Sequence, residues 1–109
     1  MARVVIADDE SIIRLDLKEI LESAGYDVVG EASRGDDAEQ LIRDLLPDLA
    51  LLDVKMPGLD GIEVARLVSS LPVTVVLLTA FSQRDLIESA RDAGVSAYLV
   101  KPFCSAELL

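Results

Sequence analysis

Apolar residues recur along this chain in two alternating rhythms. Short runs rich in β-branched residues occupy 3–7, 27–32, 49–52, 73–78 and 97–100, and each reads as a strand. Between them lie longer segments with helical spacing. In residues 11–24, Ile13, Leu17, Ile20, Leu21 and Ala24 fall on one stripe, which predicts a helix buried along that face, with Gly25 in the left-handed position that ends it. A second helix is predicted over 36–45, stopping before Pro47. A third is predicted over 61–69, behind Asp60, whose carboxylate can cap its exposed amides. A fourth is predicted over 84–93, ended by Gly94, and a fifth begins near Ser105 with barely one turn before residue 109. A helix that short is unstable without packing, so the chain is expected to be a fragment of a longer protein.

Residues 4–6, 49–52 and 75–78 are apolar at consecutive positions, which suits strands covered on both faces by helices. Alternating strand and helix units imply parallel strands with right-handed crossovers, hence an α/β, doubly wound open sheet. In such sheets ligands bind beyond the carboxyl ends of the strands, near the point where strand order reverses. No repeat, low-complexity tract or linker interrupts the pattern, so residues 1–109 are expected to form a single domain.

Composition narrows the chemistry. The 109 residues are 51% hydrophobic and 28% charged, enough apolar surface for a packed core and unlike a disordered segment. Ten Lys plus Arg against twenty Asp plus Glu give a net charge of −10, which repels phosphate backbones, so no direct contact with nucleic acid is expected of this domain. No apolar run approaches the roughly 20 residues that span a bilayer, and the first residues lack a cleavage pattern. A cytoplasmic protein with no membrane contact is expected. The single cysteine, Cys104, excludes an internal disulfide and a cysteine-based zinc cage, and the absence of histidine removes the usual transition-metal ligand and general base. Carboxylates, hydroxyls and lysine remain.

These residues stand at the predicted strand ends. Asp8, Asp9 and Glu10 follow the first strand, Asp53 the third, Thr79 the fourth and Lys101 the fifth. Several carboxylates in one crevice repel each other unless a hard divalent cation neutralises them, and oxygen ligands with retained waters suit Mg²⁺. With a lysine and a hydroxyl added, the set is suited to receive a phosphoryl group, whose transfer needs positioning and charge neutralisation. Each residue also has a plainer reading. The three acids precede a helix amino terminus, where the dipole favours them. Asp53 opens a loop through Met56, Pro57 and Gly58, and turns favour Asp. Thr79 can be a strand-end β-branched residue, and Lys101 a solvated charge. Their joint occurrence, one set per strand end, favours the functional reading.

The motifs Val4-Val5-Ile6-Ala7-Asp8-Asp9-Glu10, Leu52-Asp53-Val54-Lys55-Met56-Pro57-Gly58-Leu59-Asp60-Gly61, Leu78-Thr79-Ala80 and Tyr98-Leu99-Val100-Lys101-Pro102-Phe103 together resemble the response-regulator receiver domain of two-component signalling. The resemblance covers the whole chain. It implies a flavodoxin-like, five-stranded parallel sheet of order 2-1-3-4-5 with helices on both faces. It implies that Asp53 accepts a phosphoryl group from a sensor histidine kinase. Mg²⁺ would be held by Asp9, Asp53 and the backbone carbonyl of Lys55, with Asp8 acting through water. Lys101 would pair with one phosphoryl oxygen, and the Thr79 hydroxyl and Ala80 amide with another. Thr79 and Tyr98 would form the switch, although Tyr98 also reads as a half-buried strand aromatic. The output face would be the fourth helix, fifth strand and fifth helix, a surface on which a phosphorylated homodimer could form. Such a domain promotes its own phosphorylation and dephosphorylation without being a conventional enzyme.

The stretches Ile12-Ile13-Arg14-Leu15-Asp16-Leu17-Lys18-Glu19 and Leu78-Thr79-Ala80-Phe81-Ser82-Gln83-Arg84-Asp85 more narrowly resemble receivers that precede an RNA-binding transcription antitermination (ANTAR) domain, which is absent from this sequence. Ile12 and Leu15 lie off the buried stripe, where a kinase docks in this family, unless they merely widen that stripe. Phe81 occupies a position that influences dephosphorylation in the family. Cys104 is best read as a small, partly buried hydrophobe. Other readings fit less well. A haloacid-dehalogenase-like phosphatase requires Asp-x-Asp where this chain has Asp8-x-Glu10, and a flavodoxin-like flavin carrier requires a Ser/Thr/Gly-rich loop there. No Gly-x-Gly-x-x-Gly supports dinucleotide binding. A receiver-shaped interaction module that is never phosphorylated would not need the full set of Asp8, Asp9, Asp53, Thr79 and Lys101.

Overall fold

The structure, a computed structural model, describes residues 2–79 and 97–100. Within them the chain runs β1 (Arg3–Ala7), α1 (Ser11–Ser23), β2 (Asp27–Ala32), α2 (Gly35–Leu45), β3 (Leu49–Asp53), α3 (Gly61–Leu67), β4 (Thr74–Thr79) and β5 (Ala97–Val100). All strand pairs are parallel, in the order β2-β1-β3-β4-β5, as the alternating pattern and the family resemblance led us to expect. The predicted fourth helix (84–93) and the start of the fifth lie outside the described residues.

The strand residues divide by parity, because successive side chains point to opposite faces. Val5, Ala7, Ala50, Leu52, Val75 and Leu77 pack with Ala38 and Ile42 of α2 and Val64 and Ala65 of α3. Val4, Ile6, Leu51 and Leu78 pack with Leu17 and Leu21 of α1 on the other face. Central strands buried on both faces must be apolar at consecutive positions, which is the feature read from the sequence. β2 lies at the sheet edge and carries a bulge: Val4 pairs with Val28 but Val5 with Gly30, so Val29 has no opposite residue.

Several boundaries shift. The stripe of α1 is buried at Leu17 and Leu21 and partly buried at Ile13 and Ile20, but Ala24 is exposed. Ala24 is the C-cap, its amide still bonded to Ile20 O and Leu21 O, and the chain swings away at Gly25 with φ +94°. α2 begins one residue earlier than predicted, at Gly35, and α3 ends earlier, at Leu67. β3 extends to Asp53, and β4 is displaced by one residue to Thr74–Thr79. The expected Asp60 cap is present and is reciprocal: the Asp60 carboxylate accepts from the Glu63 amide at 2.8 Å, and the Glu63 carboxylate accepts from the Asp60 amide at 3.2 Å. No described helix is long and apolar enough to cross a membrane.

Candidate functional site

The carboxyl end of β1 is specified residue by residue. The Asp8 amide continues the sheet ladder by donating to Ala32 O at 3.1 Å. The Asp8 side chain, fully buried, accepts the Glu10 amide at 2.9 Å, folding the turn that starts α1. The Asp8 carbonyl accepts Arg14 Nη1 at 2.6 Å. Asp9 and Glu10 are exposed, and carboxylate oxygens of Asp8, Asp9 and Glu10 lie within 4.8 Å of one another. Glu10 is the N-cap of α1 but makes no side-chain capping bond, so capping does not account for the cluster.

β1 and β3 pair in register, Ala7 opposite Leu52, so the residues that follow, Asp8 and Asp53, end neighbouring strands that run side by side. Asp53 is 6% exposed, and together with Asp8 it makes up the buried polar and charged side chains among the described residues. Asp53 lies outside the 4.8 Å acid cluster, whereas Glu10, one of the strand-end acids but not among the ligands the family resemblance implies, lies inside it.

The loop after β3 is anchored at both ends. The Val54 amide donates to Leu78 O and the Gly61 amide to Val54 O. A Cβ at Gly61 would come within 2.3 Å of Asp53 O, so only glycine lets α3 start this close to β3. The loop also leans on α2: the Gly35 amide donates to Pro57 O at 3.1 Å. A Cβ on Gly35 would sit 1.7 Å from Leu59 O. An open cleft of about 540 Å³ runs along this loop, lined by Asp9, Val54, Lys55, Met56, Pro57 and Asp60. It joins two of the expected cation ligands, Asp9 and Lys55, and Asp53 does not line it.

On the other side of Asp53 the backbone register brings the remaining strand ends into line. Asp53 pairs with Leu78, and Thr79 pairs with Val100, so Thr79 closes β4 and the residue after Val100 is Lys101. Tyr98 lies in β5 opposite Leu77. Ala80, Phe81, Lys101 and Cys104 lie outside the described residues. On α1, Ile12 and Leu15 are 75% and 56% exposed, so they do not widen the buried stripe.

The donor set suits a hard divalent cation. It consists of oxygen ligands, three carboxylates close enough to share one ion, beside a buried fourth acid on the next strand. Bringing such groups together without a counter-charge is unfavourable. Sequence reasoning gave no individual role to Arg14, Gly35 or Gly61. The glycines carried a usable signal, since each directly precedes or opens a helix where a cap residue is commoner; Arg14 carried none, because its partner is a backbone carbonyl.

Comparison with known proteins gives concordant findings. Residues 4–109 match the response regulator receiver domain family. The chain is 54% identical over 108 residues to transcriptional regulatory protein PdtaR of Mycobacterium tuberculosis, covering 98% of this chain and 53% of that protein. It therefore spans about half the length of that relative. It is 34% identical to chemotaxis protein CheY of Thermotoga maritima, covering 93% of this chain and 86% of that protein. The response regulator domain of Thermotoga maritima CheB superposes with a TM-score of 0.88 at 30% identity, over 96% of this chain and 81% of that one.

Proposed function

The chain belongs to the response regulator receiver family, and on that premise we propose that Asp53 accepts a phosphoryl group from a sensor histidine kinase in a Mg²⁺-dependent reaction. The observation that carries this reading is the register of β1 and β3, which sets Asp8, the residue just beyond β1, beside Asp53, the last residue of β3, both buried. Two adjacent buried acids are costly unless charge neutralisation is part of their role.

An oxygen of the Asp53 carboxylate attacks the phosphorus in line, the P–N bond of the kinase phosphohistidine breaks, and its electron pair leaves with the imidazole. An acyl phosphate remains on Asp53. Asp9, Asp53 and the Lys55 carbonyl would hold the cation, with Asp8 acting through water, and Mg²⁺ held there would supply charge neutralisation for the transferring group. Lys101 pairs with a second phosphoryl oxygen, and the Thr79 hydroxyl and Ala80 amide with a third, so that the product dianion meets fixed donors. Pulling Thr79 toward the phosphoryl group biases the fourth helix, with Tyr98 following, and alters the face formed with β5 and the fifth helix. That face is the surface for a phosphorylated homodimer. The same site promotes loss of the phosphoryl group to water.

Ile12 and Leu15, exposed on α1 beside the acids, form the kinase docking patch. Residues 1–109 act as one receiver unit in a longer, cytoplasmic regulator whose output is of the ANTAR type and reaches RNA through its own domain. The narrower motifs on α1 and after β4 support this, as does similarity to a protein named as a transcriptional regulator. The test is intact mass after incubation with acetyl phosphate and Mg²⁺. A gain of one phosphoryl group by the native chain and none by Asp53→Asn is expected. No gain by the native chain, or a gain by the variant, overturns the assignment.

A further inference from the structure

Arg14 joins three elements. From α1 its Nη1 donates to the Asp8 carbonyl at the end of β1, at 2.6 Å, while its Nε lies 3.7 Å from the Glu31 carboxylate on β2. Lys18, one turn further along α1, places Nζ 3.7 Å from the other Glu31 oxygen. Arg14 is mostly shielded, its side chain 21% exposed. Asp8 is thereby held at its amide, its side chain and its carbonyl. The ladder bond to Ala32 O holds its approach, the Glu10 amide holds the Asp8 side chain, and the guanidinium holds the Asp8 carbonyl. Once that carbonyl is fixed, so is the direction in which Asp9 leaves the strand.

We infer that Arg14 is a positioning residue for the divalent-cation site: by gripping the Asp8 carbonyl it holds Asp9 in the geometry that binds the ion. This deepens the function proposed above and rests on it. The guanidinium fork suits the task, since one rigid planar group presents Nη1 to the carbonyl while its Nε faces the Glu31 carboxylate, a fixed geometry that the point charge of a lysine does not impose. A purely electrostatic role would act in the opposite direction. A positive charge beside three carboxylates weakens cation binding, and removing it would strengthen binding.

The experiment titrates Mg²⁺ alone into the full chain and follows binding by calorimetry, for the native chain, Arg14→Ala, Arg14→Lys, Glu31→Gln and Asp9→Asn. Positioning predicts that Arg14→Ala weakens Mg²⁺ binding roughly tenfold, the lower range for loss of an outer-sphere partner, with Arg14→Lys between it and the native chain. Glu31→Gln, which leaves the carbonyl bond in place, is expected to stay within about twofold, as for a partly exposed ion pair with its charges 3.7 Å apart. Electrostatics predicts the reverse, tighter binding in Arg14→Ala and weaker binding in Glu31→Gln, and that result overturns the proposal. A second readout needs no metal: exchange of the Glu10 amide, bonded to Asp8 Oδ1, is expected to quicken in Arg14→Ala and not in Glu31→Gln. Phosphorylation by acetyl phosphate should recover in Arg14→Ala at saturating Mg²⁺, a change in apparent affinity rather than in limiting rate. Arg14→Lys, which keeps the charge and alkyl stem, decides the matter if Arg14→Ala does not fold. A native chain that binds no Mg²⁺ overturns the parent reading and this proposal together. Native binding lost in Asp9→Asn but unchanged in both Arg14 variants overturns this proposal alone.

Discussion

Asp48 and Asp53 bound the same strand and carry the same side chain, yet they are used in opposite ways. At the amino end of β3, Asp48 is exposed and bonded throughout to backbone. Its carboxylate accepts the Arg3 amide at 2.8 Å, its amide donates to Arg3 O at 2.9 Å, and its carbonyl accepts the Thr74 amide at 3.1 Å. It ties the starts of β1, β3 and β4 together while water solvates the remaining charge. At the carboxyl end, Asp53 is buried beside a fully buried Asp8. Placing two acids there opposes folding through desolvation and mutual repulsion. What separates Asp48 from Asp8 and Asp53 is exposure: its charge stays in water, whereas theirs are held in the interior at the strands' carboxyl ends, where a carboxylate points to chemistry.

The sharpest way to break this contrast is to exchange the two losses. Asp53→Asn is expected to abolish phosphoryl uptake from acetyl phosphate completely. Asp48→Ala is expected to leave uptake intact and to lower unfolding free energy by about 1 kcal/mol, the usual worth of a hydrogen bond. Mass spectrometry and urea unfolding on both variants check the pair. Uptake lost in Asp48→Ala would mean that the two ends of the sheet are coupled and that the division is wrong.

Glycines extend the contrast from side chains to backbone. At the carboxyl end, Gly35→Ala drives a Cβ to 1.7 Å from Leu59 O. Either α2 or the 54–60 loop must move, at a cost on the order of 3 kcal/mol, and Mg²⁺ affinity should fall with it. At the amino end, Gly25→Ala meets no atom within 4 Å and suffers only from its φ of +94°, about 1–2 kcal/mol, with Mg²⁺ affinity unchanged. Equal effects of the two on Mg²⁺ binding would remove the link between that loop and the site.

Leu15→Glu tests the outer surface. Because Leu15 is 56% exposed, stability should change by less than about 0.5 kcal/mol. Labelling by acetyl phosphate should persist, while transfer from a cognate kinase slows. Equal slowing with both donors would place the defect in the site rather than in docking.

What could be read from the sequence was local or periodic. The parity of β1, β3 and β4, the left-handed Gly25 and the Asp60 cap are set by neighbours within a few residues. The strand-end acids were visible because parallel order follows from alternating elements, and that order brings distant strand ends together. What escaped detection depends on contacts between distant segments. Gly35 is required by Leu59, which lies 24 positions away. The bulge at Val29 depends on the partner strand, and the exposure of Ala24 on where the chain turns off the sheet. Arg14 received no role of its own, since nothing in its neighbours reveals a bond to the Asp8 carbonyl.

Asp36 supplies the smallest effect and the finest distinction. It opens α2, at the carboxyl side of the sheet, yet it is exposed and its carboxylate lies 3.1 Å from Arg34 Nε. Desolvation, the largest single influence, raises its pKa, but bonds from its own amide, from Arg34 and from the Asp37 amide, with the Arg34 charge, together outweigh it and hold it below 3.8. A carboxyl group whose pKa is depressed by folding stabilises the fold when ionised. That contribution is full above about 3.8 and is lost as pH falls through the lower folded value. Asp36→Asn should therefore lower the urea midpoint slightly at neutral pH, with the difference closing in acid, and should leave Mg²⁺ binding unchanged. A changed Mg²⁺ affinity would make nearness to the strands' carboxyl ends sufficient for function. Unchanged affinity leaves burial in register with a neighbouring acid, which Asp8 and Asp53 share and Asp36 lacks, as the feature that separates the site from its surroundings.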